Sequence, residues 1–200
     1  MRDYYRCEEC ALIFADPKTH LSPEEERKRY DFHENDLNDH RYRAFLNQLA
    51  TPMLKEIKPR ARGLDFGSGP GPLMKLIFES QGHRVDLYDV FYAPDISVFR
   101  NTYDFITASE VAEHLYYPMK DLGRLWSCLK PEGHLGIMTS LFTEDVDFPT
   151  WHYIRDETHV AFYTPETMAW LAEYWGAMII YQEGNVTIFT KRGATEKNNV

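Results

Sequence analysis

Apolar side chains recur at helical spacing in the segment before residue 60. The positions that lie on one helical face are Tyr42, Phe45, Leu46, Leu49 and Met53. This is the period of a helix with one buried face, so we predict a helix from about Asp39 to Ile57. An earlier helix is predicted to start at Ser22 and Pro23, because serine favours the N-cap and proline the first helical position.

From residue 62 onward, short apolar runs alternate with amphipathic stretches. The predicted strands cover residues 63–66, 84–88, 103–108, 134–140, 177–182 and 186–190. The predicted helices cover residues 72–80, 118–129 and 164–176, and Pro131-Glu132-Gly133 is predicted to be a turn. Strands that alternate with helices predict an α/β fold whose mostly parallel sheet is covered on both faces.

One interval between predicted strands is short. Only the 13 residues 90–102 separate Asp89 from Tyr103, whereas a single crossover needs about 10–12 residues including its helix. A helix, a strand and a second helix do not fit there. We therefore expect the sheet to be abridged in this interval.

Charge and composition argue against two classes of function, nucleic-acid binding and membrane association. The net charge is −9, and the longest basic run, Arg27-Lys28-Arg29, follows three glutamates. Both features argue against binding along a nucleic-acid backbone. We find no targeting segment and no apolar run of membrane-spanning length, so we expect a cytoplasmic protein without membrane contact.

The strongest local motif is a glycine-rich turn between a predicted strand and a predicted helix, Leu64-Asp65-Phe66-Gly67-Ser68-Gly69-Pro70-Gly71. Glycines let the backbone turn sharply and approach a ligand closely, and the following helix offers unpaired N–H groups. Asp89 ends the next predicted strand, 18 residues after Gly71. An acidic side chain at about this spacing accepts both ribose hydroxyls of an adenosine cofactor.

Two features distinguish the turn from a dinucleotide fingerprint. Its pattern is Gly-x-Gly-x-Gly followed by Pro72, instead of Gly-x-Gly-x-x-Gly. Asp65 would repel a pyrophosphate but suits an ammonium group, while the loop N–H groups suit a carboxylate. The methionine half of S-adenosylmethionine carries both groups, so the turn favours that cofactor.

At these residues the sequence resembles the class I S-adenosylmethionine-dependent methyltransferases, and within them the small-molecule, quinone-methylase-like branch. The resemblance extends over residues 62–190, and its further matching segments are 103–110, Glu113-His114 and 129–135. It implies a Rossmann-like three-layer sandwich with seven strands, of which the last is antiparallel. The predicted cofactor-binding residues are Asp65, Gly67, Ser68, Gly69, Gly71, Asp89, Ser109, Glu110 and Tyr30.

The resemblance places the methyl acceptor above the carboxyl ends of the family's fourth and fifth strands. Glu110 ends the strand predicted over 103–108, where it is placed to orient an acceptor or to favour the cationic cofactor. His114 has a suitable pKa for a general base, and a histidine bonded to a backbone carbonyl is the alternative. No Asn/Asp-Pro-Pro-Tyr segment follows the strand, which argues against amino methylation of adenine or of glutamine amides.

The long aromatic segment 148–163 is the second candidate for the acceptor site, since long loops in compact domains are often functional. We predict His159 as the base and Asp156, three residues earlier, as the group that orients its ring. The predicted substrate-binding residues are Trp151, His152, Tyr153 and Tyr163. Alternatively, this loop packs beneath the next helix with its polar groups bonded to one another. We predict no metal, because the spacing of His152, Asp156 and His159 is weak evidence for one.

The N-terminal segment is predicted to cap the site through a polar-aromatic cluster, Tyr30, His33, Asn35 and Tyr42. Cys7 and Cys10 resemble one knuckle of a zinc ribbon, but structural zinc needs four ligands and Cys128 is far along the chain. Their role is left open. The predicted divisions are a remnant knuckle (1–21), a helical cap (22–60), a methyltransferase domain (61–192) and a flexible tail (193–200).

The function predicted from these observations is methyl transfer from S-adenosylmethionine to oxygen or carbon of a small-molecule acceptor. Three alternatives remain open at this point: a non-catalytic cofactor-binding partner subunit, a nicotinamide oxidoreductase, and a nucleic-acid or tRNA methyltransferase. A homodimer is also left open.

Overall fold

The computed structural model describes residues 2–31, residue 37 and residues 39–193. The strands are β1 (Tyr4–Arg6), β2 (Ile13–Ala15), β3 (Arg62–Phe66), β4 (Arg84–Tyr88), β5 (Tyr103–Ser109), β6 (Leu129–Met138), β7 (Ala161–Phe162), β8 (Met178–Glu183) and β9 (Val186–Thr190). The helices are α1 (Pro23–Tyr30), α2 (His40–Glu56), α3 (Leu73–Ser80), α4 (Pro118–Ser127) and α5 (Pro165–Trp175).

Six strands form the central sheet, in the order β4-β3-β5-β6-β9-β8. The pairs β3–β4, β3–β5 and β5–β6 are parallel, whereas β9 runs antiparallel to both β6 and β8. The predicted α/β fold with an antiparallel last strand is therefore confirmed. The short interval after Asp89 holds a 3-10 helix, Ile96–Arg100, and β4 forms the sheet edge. In the described part of the chain the sheet is abridged where the sequence predicted it.

Helices pack on both faces of the central sheet. On one face, α2 lies so close to β6 that a Cβ atom at Gly136 would lie 2.6 Å from Leu49 Cδ1. On the other face, Leu125 of α4 and Leu171 of α5 are buried in one apolar cluster. This arrangement gives the predicted three layers.

Capping residues determine where two of the helices begin. The Ser22 hydroxyl accepts from the Glu25 backbone N–H, and the Glu25 carboxylate accepts from Ser22 in return. Thr164 forms the equivalent pair with Thr167 at the start of α5, which ends at Gly176 with φ +60°. Both starts agree with the sequence predictions.

The prediction of a turn at Pro131-Glu132-Gly133 is wrong, because these residues lie within β6. Pairing with β5 passes from Leu129 opposite Tyr103 to His134 opposite Phe105, so the intervening residues form a bulge. Glu132 has φ +62°. Its N–H donates to the Lys191 carbonyl at 2.9 Å, and Lys191 N–H donates to Gly133 at 2.9 Å, which keeps the bulge attached to the end of β9.

A second, three-stranded sheet was not predicted. It has the order β1-β2-β7, and its antiparallel pairs include Ile13 with Phe162. The N-terminal hairpin therefore pairs with the segment 148–163. The Arg2 guanidinium adds hydrogen bonds to the carbonyls of Glu157, at 3.1 Å, and His159, at 2.9 Å.

Cys7 and Cys10 lie in the turn between β1 and β2. Ala11, which follows Cys10, has φ +59°, and its N–H donates to the Cys7 carbonyl at 3.0 Å. Backbone hydrogen bonds from Cys10 and Glu9 lower the pKa of the Cys7 thiol.

The predicted tail 193–200 lies, apart from Gly193, outside the described residues.

Over the described ranges, no helix is long and apolar enough to cross a membrane.

Candidate functional site

A cavity of about 510 Å³ opens where β3, β4 and β5 end. This volume lies in the range of roughly 300–1,000 Å³ that is typical of small-molecule sites. Its wall includes the glycine turn 67–70, residues 88–92 after β4, residues 109–111 and 113–115 after β5, and parts of α1 and α2. Carboxyl ends of parallel strands are the usual ligand position in such sheets.

The glycine turn forms one end of the cavity. Gly67 has φ +75°, and a Cβ atom there would lie 2.2 Å from Val111 Cγ2, so a side chain at this position is sterically excluded. The N–H groups of Gly67 and Ser68 donate to the Tyr88 carbonyl at 2.7 and 3.2 Å. These contacts fix the turn against the end of β4.

Asp89 lies on the cavity wall beside the turn. Its Oδ2 accepts from Gly69 N–H at 2.9 Å, and its Oδ1 accepts from the N–H groups of Phe91 and Tyr92 at 2.8 and 3.0 Å. A carboxylate has about four lone-pair sites, and three are occupied, so Asp89 retains capacity for one further donor. It is therefore held rigidly where ribose hydroxyls were predicted to bind.

Aromatic side chains line the wall next to Asp89. The rings of Phe66 and Tyr88 stack at 5.5 Å between centroids, and Phe99 lies 4.7 Å from Tyr88. The Arg124 guanidinium lies 4.6 Å from the Phe99 centroid. Because Phe99 comes from the 3-10 helix in the abridged interval, that interval supplies part of the wall that suits a flat ring.

Two predicted cofactor residues, Asp65 and Gly71, are not among the described residues on the cavity wall. Asp65 is only 4% exposed, and its carboxyl accepts from Thr107 Oγ1 at 2.9 Å. Burial raises the pKa of Asp65 to about 7. The direct contact predicted between Asp65 and an ammonium group is therefore corrected, because Asp65 is bonded inside the protein.

Ser109 and Glu110, two of the predicted cofactor-binding residues, line the cavity at the end of β5. Ser109 Oγ and Glu110 Oε1 are buried and have no hydrogen-bond partner within the described residues. Leaving a buried polar atom unsatisfied costs about 1–3 kcal/mol, so these atoms indicate a ligand. Burial, and next the nearby Glu113 carboxylate, raise the pKa of Glu110 to about 8.

Glu113 is a functional candidate to which no role was assigned from the sequence. Its side chain is fully buried on the same wall. Oε1 accepts from the Tyr153 hydroxyl, and Oε2 accepts from Thr139 Oγ1 at 2.9 Å. An acidic residue next to His114 was visible in the sequence, but its burial depends on contacts with distant residues.

His114 and His159 form a ring pair beside Glu113. Their centroids lie 4.7 Å apart. His159 Nδ1 donates to the Tyr153 carbonyl at 2.7 Å, and His114 Nδ1 lies 3.2 Å from the Thr158 carbonyl. Burial, and next the charge of His114, lowers the pKa of His159, which favours a neutral ring with Nε2 as the basic nitrogen.

Asp156 lines the cavity but does not orient His159 as predicted. Asp156 Oδ2 lies 4.0 Å from His159 Nε2, too far for a hydrogen bond. Its Oδ1 instead accepts from the N–H and the hydroxyl of Thr158, at 2.9 and 2.7 Å. The Tyr153 carbonyl is the group that orients the ring.

The prediction that aromatic residues of the segment 148–163 bind the substrate is corrected. Trp151, Tyr153 and Tyr163 are buried and do not line the cavity, within the described part of the chain. Trp151 and Tyr153 pack with Ile13 of the N-terminal hairpin, and the Tyr163 hydroxyl donates to the Ala112 carbonyl at 3.1 Å. The alternative prediction, a packed segment, holds for these residues because the unpredicted small sheet covers them.

The polar residues of the predicted site lie in different places, some exposed and some on the cavity wall. His152 is exposed and does not approach Asp156 and His159 to form the metal trio considered from the sequence. Tyr30 and Tyr42 line the cavity, and the cap role assigned to them stays a prediction.

The Tyr30 hydroxyl also donates to Glu26 Oε1 at 2.9 Å, and Glu26 lies on the same wall. His33 and Asn35, the other two predicted members of the cap, lie outside the described residues.

Comparison with known families gives one match over most of the chain. A family model described as a methyltransferase domain matches residues 36–182. No curated protein matches the chain in a sequence search.

Solved structures share the fold at low sequence identity. A 1,6-didemethyltoxoflavin-N1-methyltransferase from Burkholderia thailandensis, crystallised with S-adenosylhomocysteine, is 14% identical with a TM-score of 0.59, covering 96% of this chain and 99% of its own. An O-methyltransferase family protein from the same organism is 13% identical with a TM-score of 0.56, covering 86% of this chain and 64% of its own. A mitomycin 7-O-methyltransferase is 18% identical with a TM-score of 0.56, covering 88% of this chain and 59% of its own.

Proposed function

The chain belongs to this methyltransferase domain family, and from that premise we propose that it methylates an oxygen or carbon atom of a small-molecule acceptor. It is an enzyme, and its methyl donor is S-adenosylmethionine. One observation carries the proposal. The same cavity is lined by the glycine turn and Asp89 at one end and by Glu110, His114 and His159 at the other.

The donor end fits S-adenosylmethionine by its chemistry. Asp89 accepts a hydrogen bond from a ribose hydroxyl, and the aromatic wall around Phe99 suits the adenine ring. The turn at Gly67 leaves no room for a side chain, so the backbone itself borders the ligand. When bound, S-adenosylmethionine supplies an electrophilic methyl carbon on a sulfonium centre, and the buried, unpaired oxygen of Glu110 favours that positive charge.

The acceptor end supplies a proton acceptor. His159 Nδ1 is committed to the Tyr153 carbonyl, so the neutral ring presents Nε2 as its basic nitrogen. We assign to this nitrogen the removal of a proton from an acceptor hydroxyl or acidic carbon. A positioned base of this kind contributes about 10²–10⁴-fold to a rate.

Two substitutions test the two ends separately. Asp89→Ala is expected to weaken S-adenosylmethionine binding in calorimetry by at least about tenfold, because hydrogen bonds to a charged group are worth about 1.5–3 kcal/mol each. His159→Ala is expected to keep that binding and to lose turnover in a metabolite screen that follows S-adenosylhomocysteine release.

His152→Ala is the matched control, since His152 is exposed in the same segment. Its loss should change neither S-adenosylmethionine binding nor turnover. Unchanged binding by a folded Asp89→Ala variant would contradict the donor site. Full turnover by His159→Ala would remove His159 from the reaction. The cytoplasmic location and the homodimer considered above stay predictions.

A further inference from the structure

We propose that Glu113, His114 and His159 together bind one divalent transition-metal ion at the acceptor end of the cavity. Each residue offers one ligand atom, and the three atoms lie within 4.8 Å of one another. All three residues line the cavity. Since the ion would act on the acceptor, this inference rests on the proposed methyl transfer and assigns the way in which His159 serves it.

Both imidazole rings have the orientation of metal ligands. The Nδ1 atoms of His114 and His159 face the backbone carbonyls of Thr158 and Tyr153. In metal sites, a ligating histidine almost always donates its other N–H to such a carbonyl or to a carboxylate, which fixes the ring and its tautomer. The two rings are thus held in the tautomer that coordinates through Nε2.

The carboxylate also has the support expected of a ligand. Glu113 is held by the hydroxyls of Tyr153 and Thr139, and ligating carboxylates are hydrogen-bonded in this way. Close to it, Glu110 Oε1 is buried with no partner in the described part of the chain. A buried carboxylate is costly unless it is paired or coordinates a metal, so a cation bound by Glu113 would also lower the electrostatic cost of the nearby Glu110.

The donor set indicates which ions would bind. Two imidazoles and one carboxylate suit Zn²⁺ and its neighbours such as Co²⁺, whereas Mg²⁺ and Ca²⁺ prefer oxygen ligands. Metal–ligand bonds of about 2.0–2.2 Å place ligand atoms closer together than the observed spread of up to 4.8 Å. Binding would therefore draw the three side chains together by about 1 Å, while three protein ligands leave a coordination position open.

The open position gives the ion a role in the reaction. A metal ion lowers the pKa of a bound oxygen acid, as it does for water. An acceptor hydroxyl bound there would release its proton to solvent, and its oxygen would remain on the ion as the anion. The geometry thus favours a hydroxyl-bearing acceptor over a carbon acceptor. With the ion bound, His159 Nε2 is a ligand and the ion takes over the proton removal assigned above to His159 alone.

The test uses the whole protein, stripped of metal by a chelator and then titrated with Co²⁺ alone. We expect one ion per chain by calorimetry and visible absorption bands typical of cobalt with nitrogen ligands. His114→Ala and His159→Ala should each weaken Co²⁺ binding at least about tenfold, and the control His152→Ala should not. Because Glu113 is buried, Glu113→Gln is interpreted only if its thermal unfolding matches the wild type.

The outcomes separate this inference from the proposed function. Absence of saturable Co²⁺ binding by folded, metal-free protein overturns the metal site, as does binding that the histidine substitutions leave unchanged. If the metal-free enzyme still releases S-adenosylhomocysteine at the full rate, the ion has no part in the reaction and the methyltransferase function stands. If metal binds but no acceptor is ever methylated, the proposed function fails and the site remains.

Discussion

Asp65 illustrates how far a single residue can be understood from its sequence position. The motif around it was interpreted correctly as the turn after a strand, but its carboxyl is bonded to Thr107 instead of facing the cavity. The turn is determined by local glycine chemistry. The direction of a carboxyl at the end of β3 depends on the neighbouring strand β5, whose pairing no local pattern reveals.

The burial of Asp65 predicts a pH dependence of stability. Its pKa in the folded protein is about 7, above the value of about 3.9 for an unfolded aspartate. Between these values the folded state binds more protons, so the free energy of unfolding falls as pH rises from about 4 to 7. Tyr42 and Asp89 are the other titratable groups near it.

We expect Asp65→Asn to remove this contribution. Urea unfolding at pH 5 and pH 8 should show a smaller loss of stability at the higher pH for the variant than for the wild type. Asp3→Asn, at an exposed aspartate, is the control and should keep the wild-type dependence. An Asp65→Asn variant whose stability falls as steeply as the wild type would contradict the raised pKa.

At the scale of elements, the sequence predicted those helices and strands whose signals are local. Caps and periodicity located α1, α2 and α5, and alternation located the strands of the central sheet. The strands β1, β2 and β7 are only two or three residues long, and β2 and β7 pair across about 150 residues. Such short strands contain no measurable period, so their pairing is decided by burial of residues such as Ile13 and Phe162.

Two similar helix caps should differ in their effect on stability. Thr164 starts α5, which buries Met168 and Leu171, whereas Ser22 starts α1, which buries no residue. Loss of a cap hydroxyl costs about 1 kcal/mol when the helix folds with the core. We therefore expect Thr164→Ala to lower the free energy of unfolding by about 1 kcal/mol, and Ser22→Ala to change it by less than about 0.5 kcal/mol.

Chemical denaturation of the two variants measures this difference directly. Equal losses for both would mean that α1 unfolds together with the core, contrary to its exposed packing.

At the scale of the whole molecule, the two ends of the cavity differ in how they are built. The donor end is formed by consecutive residues after β3 and β4, so a motif could predict it. The acceptor end brings Glu113, His114 and His159 together with Tyr153 and Thr139. Three separate segments meet there, and the segment that contains Tyr153 and His159 is held in place by the N-terminal hairpin. The hairpin thus supports the reacting end although it contributes no residue to the cavity wall, among those described.

This division predicts a local response to a distant substitution. Ile13 in β2 pairs with Phe162 and is buried with Trp151 and Tyr153. Ile13→Ala removes buried methyl groups, a change that typically costs about 2–5 kcal/mol in a core, and the loss should fall on the segment 151–162. Local opening of one unit raises amide hydrogen exchange there without global unfolding.

We therefore expect faster exchange over residues 151–162, unchanged exchange in β3 and β5, and unchanged S-adenosylmethionine binding by calorimetry. Turnover should fall, since the carbonyl that orients His159 belongs to Tyr153. Ile96→Ala is the matched control, because Ile96 is 67% exposed and its loss should affect none of these readings. Equal increases of exchange in β3 and β5 would instead show that the hairpin stabilises the whole domain, and that the two ends of the cavity do not respond independently.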